Sequence, residues 1–413
     1  MHTLHFFCKW KLPLFTGLFL FISAALSAQD FSATNHAYWY QAGSPVNNKL
    51  MVWKKSPDTL QVIAAVTFNA PAVPEAYRIF LHRKNQLDST TGTTPPIPLQ
   101  PFRKTGNKYL LKTDLPERNA EDGAPAPFFL LEVQDTAQAG NSFWAMATLA
   151  PDNSFPPPPF YISSLADGMP LFRQYANEKE RFSIHGSPST YTIFYYDKSF
   201  EIASPPMTAG STPDAGLEVT NTSLIRADSA FQPRGEGLYF IQHDTTQLSG
   251  QSFRRTNPYF PEVGTLEDFA GPIRYISTSE EWQQIEKSNF DKKEIDRFWL
   301  RVVQSEELAK RVIKQYYQRV SRANQLFTNY KEGWKTDQGM IFILYGPPDV
   351  VTAEAGREQW IYRQSSDLPE IKFNFVHVKN PFTDRHFVLI RNKNYAKSHY
   401  QTVSKWRKGK NIL

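Results

Sequence analysis

Apolar and polar positions alternate over short runs through the first two thirds of the chain, then recur every three to four residues after Thr278. Between residues 29 and 155 the runs KLMVWKK, TLQVIAAVTF, AYRIFLHR, KYLLKTD, PFFLLEVQD and SFWAMATLA are short, and Pro, Gly, Asn and Asp separate them. That spacing predicts a β-sandwich, with Val62, Val66, Phe80, Leu130 and Trp144 on its inner faces. SFPPPPF at 154–160 predicts a stiff connector. Beyond it RFSIHG, STYTIFYYDKSF, SAFQPRGEGLYFIQHDT, QSFRRTNPYF and GPIRYIST predict a second sandwich over 156–276, broken by the polar loop PPMTAGSTPDAG, so two Ig-like β-sandwich modules are expected. No residue-level repeat relates the two modules.

After Thr278 the period lengthens. Thr278 and Glu281 form a capping-box pattern opening a short helix. Asp291 caps another, with Glu294 reaching back. Leu308, Val312, Tyr316, Val320, Ala323 and Phe327 then make one apolar stripe along a helix of about six turns, with Glu306/Lys310 and Glu307/Arg311 paired outside. The next stretch, 333–349, reads GWKTDQGMIFILYGPPD. Gly333 suits a left-handed helix stop, Trp334 an apolar plug, and Asp337 with Gly339 a turn. MIFIL reads as a buried central strand that Gly346-Pro347-Pro348 ends. EQWIYR, IKFNFVHV and HFVLIRN add strands, the second alternating through Ile371, Phe373 and Phe375. An α+β domain over 277–405 follows, a long helix packed on a small antiparallel sheet.

The chain has 413 residues, 41% of them hydrophobic, enough for several cores. Its first 28 residues read as a secretory signal peptide: Lys9 and Lys11, then about fifteen apolar residues, then small Ser27 and Ala28 at the cut. The single cysteine, Cys8, lies in that leader. The mature chain is therefore expected to hold no disulfide, thiolate metal site or cysteine nucleophile. Export through the Sec pathway is therefore expected. The net charge of +6 is uneven: residues 391–413 carry seven basic side chains and no acid. A basic tail, 406–413, suits phosphates, lipid headgroups or acidic glycans, and in an exported protein nucleic acid is excluded as a partner.

Gly333-Trp334, one residue, Thr336-Asp337, an apolar segment and Tyr345-Gly346-Pro347-Pro348-Asp349 resemble the signature of the GWxTD domain family. Trp360, Tyr362 and the long helix resemble it too, so the likeness covers about 278–405. The resemblance implies an exported multidomain protein with preceding sandwiches, in the periplasm or at the cell surface of a Gram-negative bacterium, and no assigned enzymatic activity.

Candidate chemistry is sparse. Asp337, Asp349 and Glu354 fall at turn and strand ends where carboxylates can converge for acid/base work or cation binding. His377 and His386 follow on strands. No Ser-His-Asp order, paired-His spacing or phosphate loop occurs. No metal or cofactor is expected, and Asp337 reads first as a turn cap. Trp406, Arg407 and Lys408 are the expected contact residues, because Trp406 in SKWRKGK has little core to enter and suits a partner or membrane surface. Asp58-Thr59, Asp88-Ser89, Asp135-Thr136, Asp228-Ser229 and Asp244-Thr245 recur as Asp-Ser/Thr pairs that suit either O-glycosylation or turns. The reading is a non-enzymatic binding or assembly component of the bacterial envelope, its sandwiches acting as spacers, with an envelope protein or glycan as partner. The alternative is a hydrolase of an envelope polymer using Asp337 and Asp349.

Overall fold

The computed structural model describes residues 31–87, 96–117, 128–138, 141–149, 154–187, 189–208, 217–303, 305–363 and 370–410. The expected leader and the Asp88-Ser89 pair lie outside them. The first module holds β1 (Val46–Ser56), β2 (Thr59–Phe68), β3 (Tyr77–Lys84), β4 (Gln100–Thr105), β5 (Lys108–Pro116), β6 (Phe128–Asp135) and β7 (Ser142–Thr148). They form two antiparallel sheets, β1-β2-β5-β4 and β3-β6-β7. Val46, Ala64, Val66 and Phe68 of one sheet meet Leu131, Val133 and Phe143 of the other, and Leu60 and Val62 meet Leu81 and Phe129.

Phe80, Leu130 and Trp144 are on the opposite face from the one expected. Glu132 stands across from both Phe80 and Trp144, so these residues and Leu130 share the outer face of the second sheet. The first six residues of β6 are all buried, leaving no alternation to mark the inner side. Phe31, Trp39 and Ala353 cover that outer face.

The second module contains β8 (Phe160–Ser164), β9 (Tyr175–Asn177), β10 (Phe182–Gly186), β11 (Thr190–Tyr196), β12 (Asn221–Arg226), β13 (Gly237–Gln242) and β14 (Gln251–Thr256). A two-stranded sheet, β10-β8, faces a five-stranded one, β12-β11-β13-β14-β9. Phe160, Ile162, Phe182 and Ile184 pack there on Tyr191, Ile193, Tyr239, Ile241 and Phe253.

GPIRYIST is not a strand. It includes the end of α1 (Leu266–Ile273), opened by a capping box between Thr265 and Asp268. Ala270, Ile273, Tyr275 and Ile276 enter the helical core of the next domain, although the 276 boundary assigned them to the sandwich. α2 (Ser279–Lys287) starts at the Thr278/Glu281 capping box. Asp291 caps α3 (Lys292–Val302) by accepting Lys293 N–H, while Glu294 pairs with Arg297 instead of reaching back. α4 (Glu306–Phe327) buries Val312, Tyr316, Val320, Ala323 and Phe327.

MIFIL is helical, within α5 (Asp337–Tyr345). A five-residue apolar run has no period that separates strand from helix. Thr336 decides it by accepting Gly339 N–H as an N-cap, and eight of the nine residues are buried. Gly346, at φ +85°, ends this helix, not a strand. An antiparallel sheet follows in the order β15 (Val350–Glu354), β16 (Arg357–Tyr362), β17 (Ile371–His377) and β18 (Phe387–Leu389). The chain closes with α6 (Tyr395–Arg407), whose buried stripe is Tyr395, His399, Thr402 and Trp406.

The N-terminal segment makes a strap across the molecule. His36 N–H bonds to Val351 O at 2.8 Å, Asn35 Oδ1 accepts Val351 N–H, and Trp39 Nε1–H bonds to Trp144 O. The strap joins the first sandwich to the last sheet, so the modules fold back on one another and are not extended spacers. The polyproline connector is docked as well: Pro158 O accepts Lys54 N–H.

Candidate functional site: the tryptophan corner

Residues 328–337 turn the chain between α4 and α5, and Gly333, Trp334, Thr336 and Asp337 each have a packing duty there. Gly333 does not sit in the left-handed region, and α4 already ends at Phe327. It is glycine because a Cβ would lie 2.2 Å from Ala323 O. Its N–H bonds to Thr328 Oγ1 at 2.9 Å, and Trp334 N–H bonds to Asn324 Oδ1. The Trp334 indole is buried against Gly271 of α1, where a Cβ would come within 2.6 Å of the ring. Tyr275 OH donates to Trp334 O at 2.7 Å. Thr336 Oγ1 donates to Gly333 O and accepts Gly339 N–H, locking the turn to α5.

Asp337 is sequestered. Its carboxylate accepts Arg391 Nη2–H at 2.6 Å, Nη1–H at 3.0 Å and Leu389 N–H at 2.8 Å. Arg391 also donates to Ser204 O, and Lys335 O accepts Ala203 N–H, so the corner grips the segment after β11. Next to it Glu332 meets Arg254 at 2.9 Å and Lys335 at 3.0 Å. Burial would raise the Glu332 carboxyl, but these two cations overcome that and hold it at about 2.

Asp349 lies elsewhere. It is exposed and accepts Arg363 N–H at 2.6 Å. Glu354, at the far end of β15, is exposed too. The three acids do not share a hydrogen-bond network. Tyr345 and Gly346 belong to the seam with the sheet: Tyr345 OH meets Ser398 Oγ at 3.3 Å, and Tyr362 OH donates to Gly346 O. Pro347 is exposed and Pro348 buried in the turn into β15. His377 ends β17, with Nε2 2.9 Å from Asp384 O; burial lowers its pKa, and lowers that of His386 to about 4. Among the described residues no group of three or more His, Cys, Asp or Glu side chains could hold a metal ion.

The expected contact residues are corrected. Trp406 is wholly buried, with Nε1–H on Leu344 O at 2.9 Å, the Tyr316 ring edge-on and Arg319 over its face. Arg407 makes a two-pronged pair with Glu281 and donates to Ile276 O. Only Lys408 is exposed. The sequence hid α6 because His399 and Thr402 interrupt its stripe with polar letters. Of the Asp-Ser/Thr pairs, Asp135 accepts Ala137 N–H and Asp244 accepts Thr246 N–H, both as local turns.

Sequence reasoning passed over Glu358. Its Oε2 accepts Tyr40 OH at 2.7 Å, Gln338 Nε2–H at 3.0 Å and Trp360 Nε1–H at 3.0 Å. Burial raises its pKa against the pull of these donors. Only the register of β16, which turns Glu358 and Trp360 to the same face, could have signalled it.

No curated protein matches the chain. Among solved structures the full ectodomain (Ig1–Ig3) of mouse nectin-like molecule 4 aligns over 52% of this chain and 65% of its own, at 11% identity and a TM-score of 0.18. A likeness that slight carries no argument. The GWxTD domain model matches residues 237–408, from the start of β13 to the end of α6. With Gly333, Trp334, Thr336 and Asp337 joined in the closed corner inside that match, the chain carries a GWxTD domain over these residues.

Proposed function

We propose that the protein is an exported, non-enzymatic binding or assembly component of the bacterial cell envelope. The observation that supports this reading is the state of Asp337: its carboxylate is filled by Arg391 and Leu389 N–H inside a closed corner. The signature thus serves as a joint, holding α4, α5, the sheet and the second sandwich in one body. A hydrolase would want two acids facing an open cleft, whereas Asp337 and Asp349 are held by separate partners. Peripheral membrane contact, in this reading, falls to Lys393, Lys397, Lys408 and Lys410, which are exposed, and no longer to Trp406 or Arg407. Among the described residues no helix is long and apolar enough to cross a membrane.

Fractionation and photo-crosslinking in intact cells test this, with the crosslinker at exposed Tyr400 of α6. Enrichment with the envelope and capture of one defined envelope protein or glycan are expected. A cytoplasmic chain would overturn the reading. So would hydrolysis of an envelope polymer by the purified protein that is lost in Asp349→Asn.

A further inference from the structure

We infer that a cleft of about 310 Å³ between the two sandwiches binds a sugar-sized organic anion, its carboxylate or phosphate held by Lys49 and Lys108. The cleft is built on the outer face of β1, β2 and β5. Asn47, Thr67 and Lys108 stand directly across from one another on the three strands, and Lys49, Ala65 and Leu110 form the next row. Side chains in such rows share one face, so the two lysines flank a hollow floored by Ala65 and Thr67. Ala65 matters because a larger residue would fill it. The opposite wall is the loop after β8, where Met169 and Phe172 pack on Ala65 and Leu110.

Charge singles this hollow out. Arg173, on its rim, is already paired with Glu180, and Asp167 accepts Met169 N–H. Among the described residues neither Lys49 nor Lys108 forms an ion pair, although Asp167 lines the same cleft. Burial lowers Lys49 to about 8, and the charges of Arg385, Lys108, Arg173 and Arg322 push it the same way. Lys108 is lowered by burial too, with Asp167 opposing. Lys49, Lys108 and Arg173 set against the single cleft carboxylate of Asp167 leave an excess of positive charge that costs stability, and such cost is characteristically found where a ligand supplies the balancing charge. Asn47, Thr67, Asn69 and Ser164 offer partners for hydroxyls, and Phe172 an apolar wall for a sugar face. The volume falls at the small end of ligand pockets, roughly 300–1,000 Å³. This site is independent of the tryptophan corner and does not depend on the envelope reading.

Calorimetric titration of the full mature chain with D-glucuronate, D-glucose 6-phosphate and D-glucose tests the inference. Binding of either anion but not of glucose is expected, the tighter one naming the head group. Lys49→Met and Lys108→Met should each weaken it about tenfold or more, the loss of one charge-assisted hydrogen bond. A second measurement needs no variant: the bound anion should shield Lys49 from acetylation in the native chain, read by peptide mass spectrometry. Heat from neither anion, equal binding of glucose, undiminished binding by the double variant, or an unshielded Lys49 would each overturn it.

Discussion

Asp337 and Arg391 form a two-pronged ion pair at 2.6 and 3.0 Å, with 9% and 7% of their side chains exposed. One opens α5 and the other follows β18, so the pair fastens the helix to the sheet edge. Asp337→Asn leaves a buried guanidinium short of charge and should cost about 3–5 kcal/mol in urea unfolding. Arg391→Lys should also destabilise, since an ammonium cannot make the fork. The double variant Asp337→Asn/Arg391→Met should regain part of the loss, because no orphan charge is left. Additive losses would show that the pair is not coupled.

Gly339 tests whether the corner or helix propensity governs α5. Propensity alone makes Gly→Ala inside a helix stabilising by about 1 kcal/mol. A Cβ here would lie 1.9 Å from Gly333 O, a backbone atom with no room to yield. Gly339→Ala and Gly333→Ala are therefore expected to destabilise, by more than that 1 kcal/mol gain. A raised Tm in either would sink the close-packing account.

Stability should fall in acid in two stages. His36, His386 and His399 are lowered to about 4, in each case first by burial. The unfolded chain takes up these protons near pH 6.5 and the folded chain does not, so stability is lost as pH drops from about 6.5 to 4. For the buried His36 and His399 the loss is up to about 3 kcal/mol each; half-buried His386 contributes less. Glu332, held at about 2, extends the decline from about 4.5 downward. Urea midpoints from pH 7 to 4 should track the histidine stage, and His399→Gln should flatten it. A level profile would contradict the buried neutral histidines.

Trp406 shows where sequence reading reaches and where it stops. The α4 stripe and the Thr278 capping box were legible because period and cap are local signals. α6 was not, since its stripe includes His399 and Thr402, and seven basic residues from 391 onward read as a basic tail suited to an anionic partner. Arg391 and Arg407 are spent on Asp337 and Glu281, partners that only the fold brings near. The corner's letters are legible as structural, yet its helix reads as a strand because MIFIL is apolar on every side. The cleft at Lys49 could not be read at all, for it needs the register of three strands and a loop from another module.

Substitution of Trp406 separates a core residue from a contact residue. Trp406→Ala removes a fully buried indole and should cost about 3–5 kcal/mol, shown by a lower unfolding midpoint. Trp406→Phe keeps the ring contact with Tyr316 but removes the shorter of two donors to Leu344 O, which retains Arg319 Nη1–H at 3.3 Å, and should cost about 1 kcal/mol for the hydrogen bond. Unchanged stability with weakened envelope association would restore the surface role.

Tyr40 and Glu358 hold the N-terminal strap, and their coupling has a defined pH sign. Tyr40 packs 4.7 Å from the Trp360 ring centroid and donates to Glu358 Oε2 at 2.7 Å. Glu358 is raised above its usual range by burial. A folded carboxyl with a raised pKa favours the folded state at low pH, and that advantage is lost as pH climbs from about 4.5 through the folded value. Tyr40→Phe removes a donor to the ionised form and should raise that value further. Its cost at pH 7 is expected near 1.5–3 kcal/mol, the range for a hydrogen bond to a charged group, and should shrink toward pH 4. On a Glu358→Gln background, where the acceptor is neutral at every pH, the same substitution should cost about 1 kcal/mol with no pH dependence. Equal costs on both backgrounds at pH 7 would mean that the tyrosine holds the strap through its ring alone, so the double-mutant cycle decides whether the hydroxyl or the packing makes this contact.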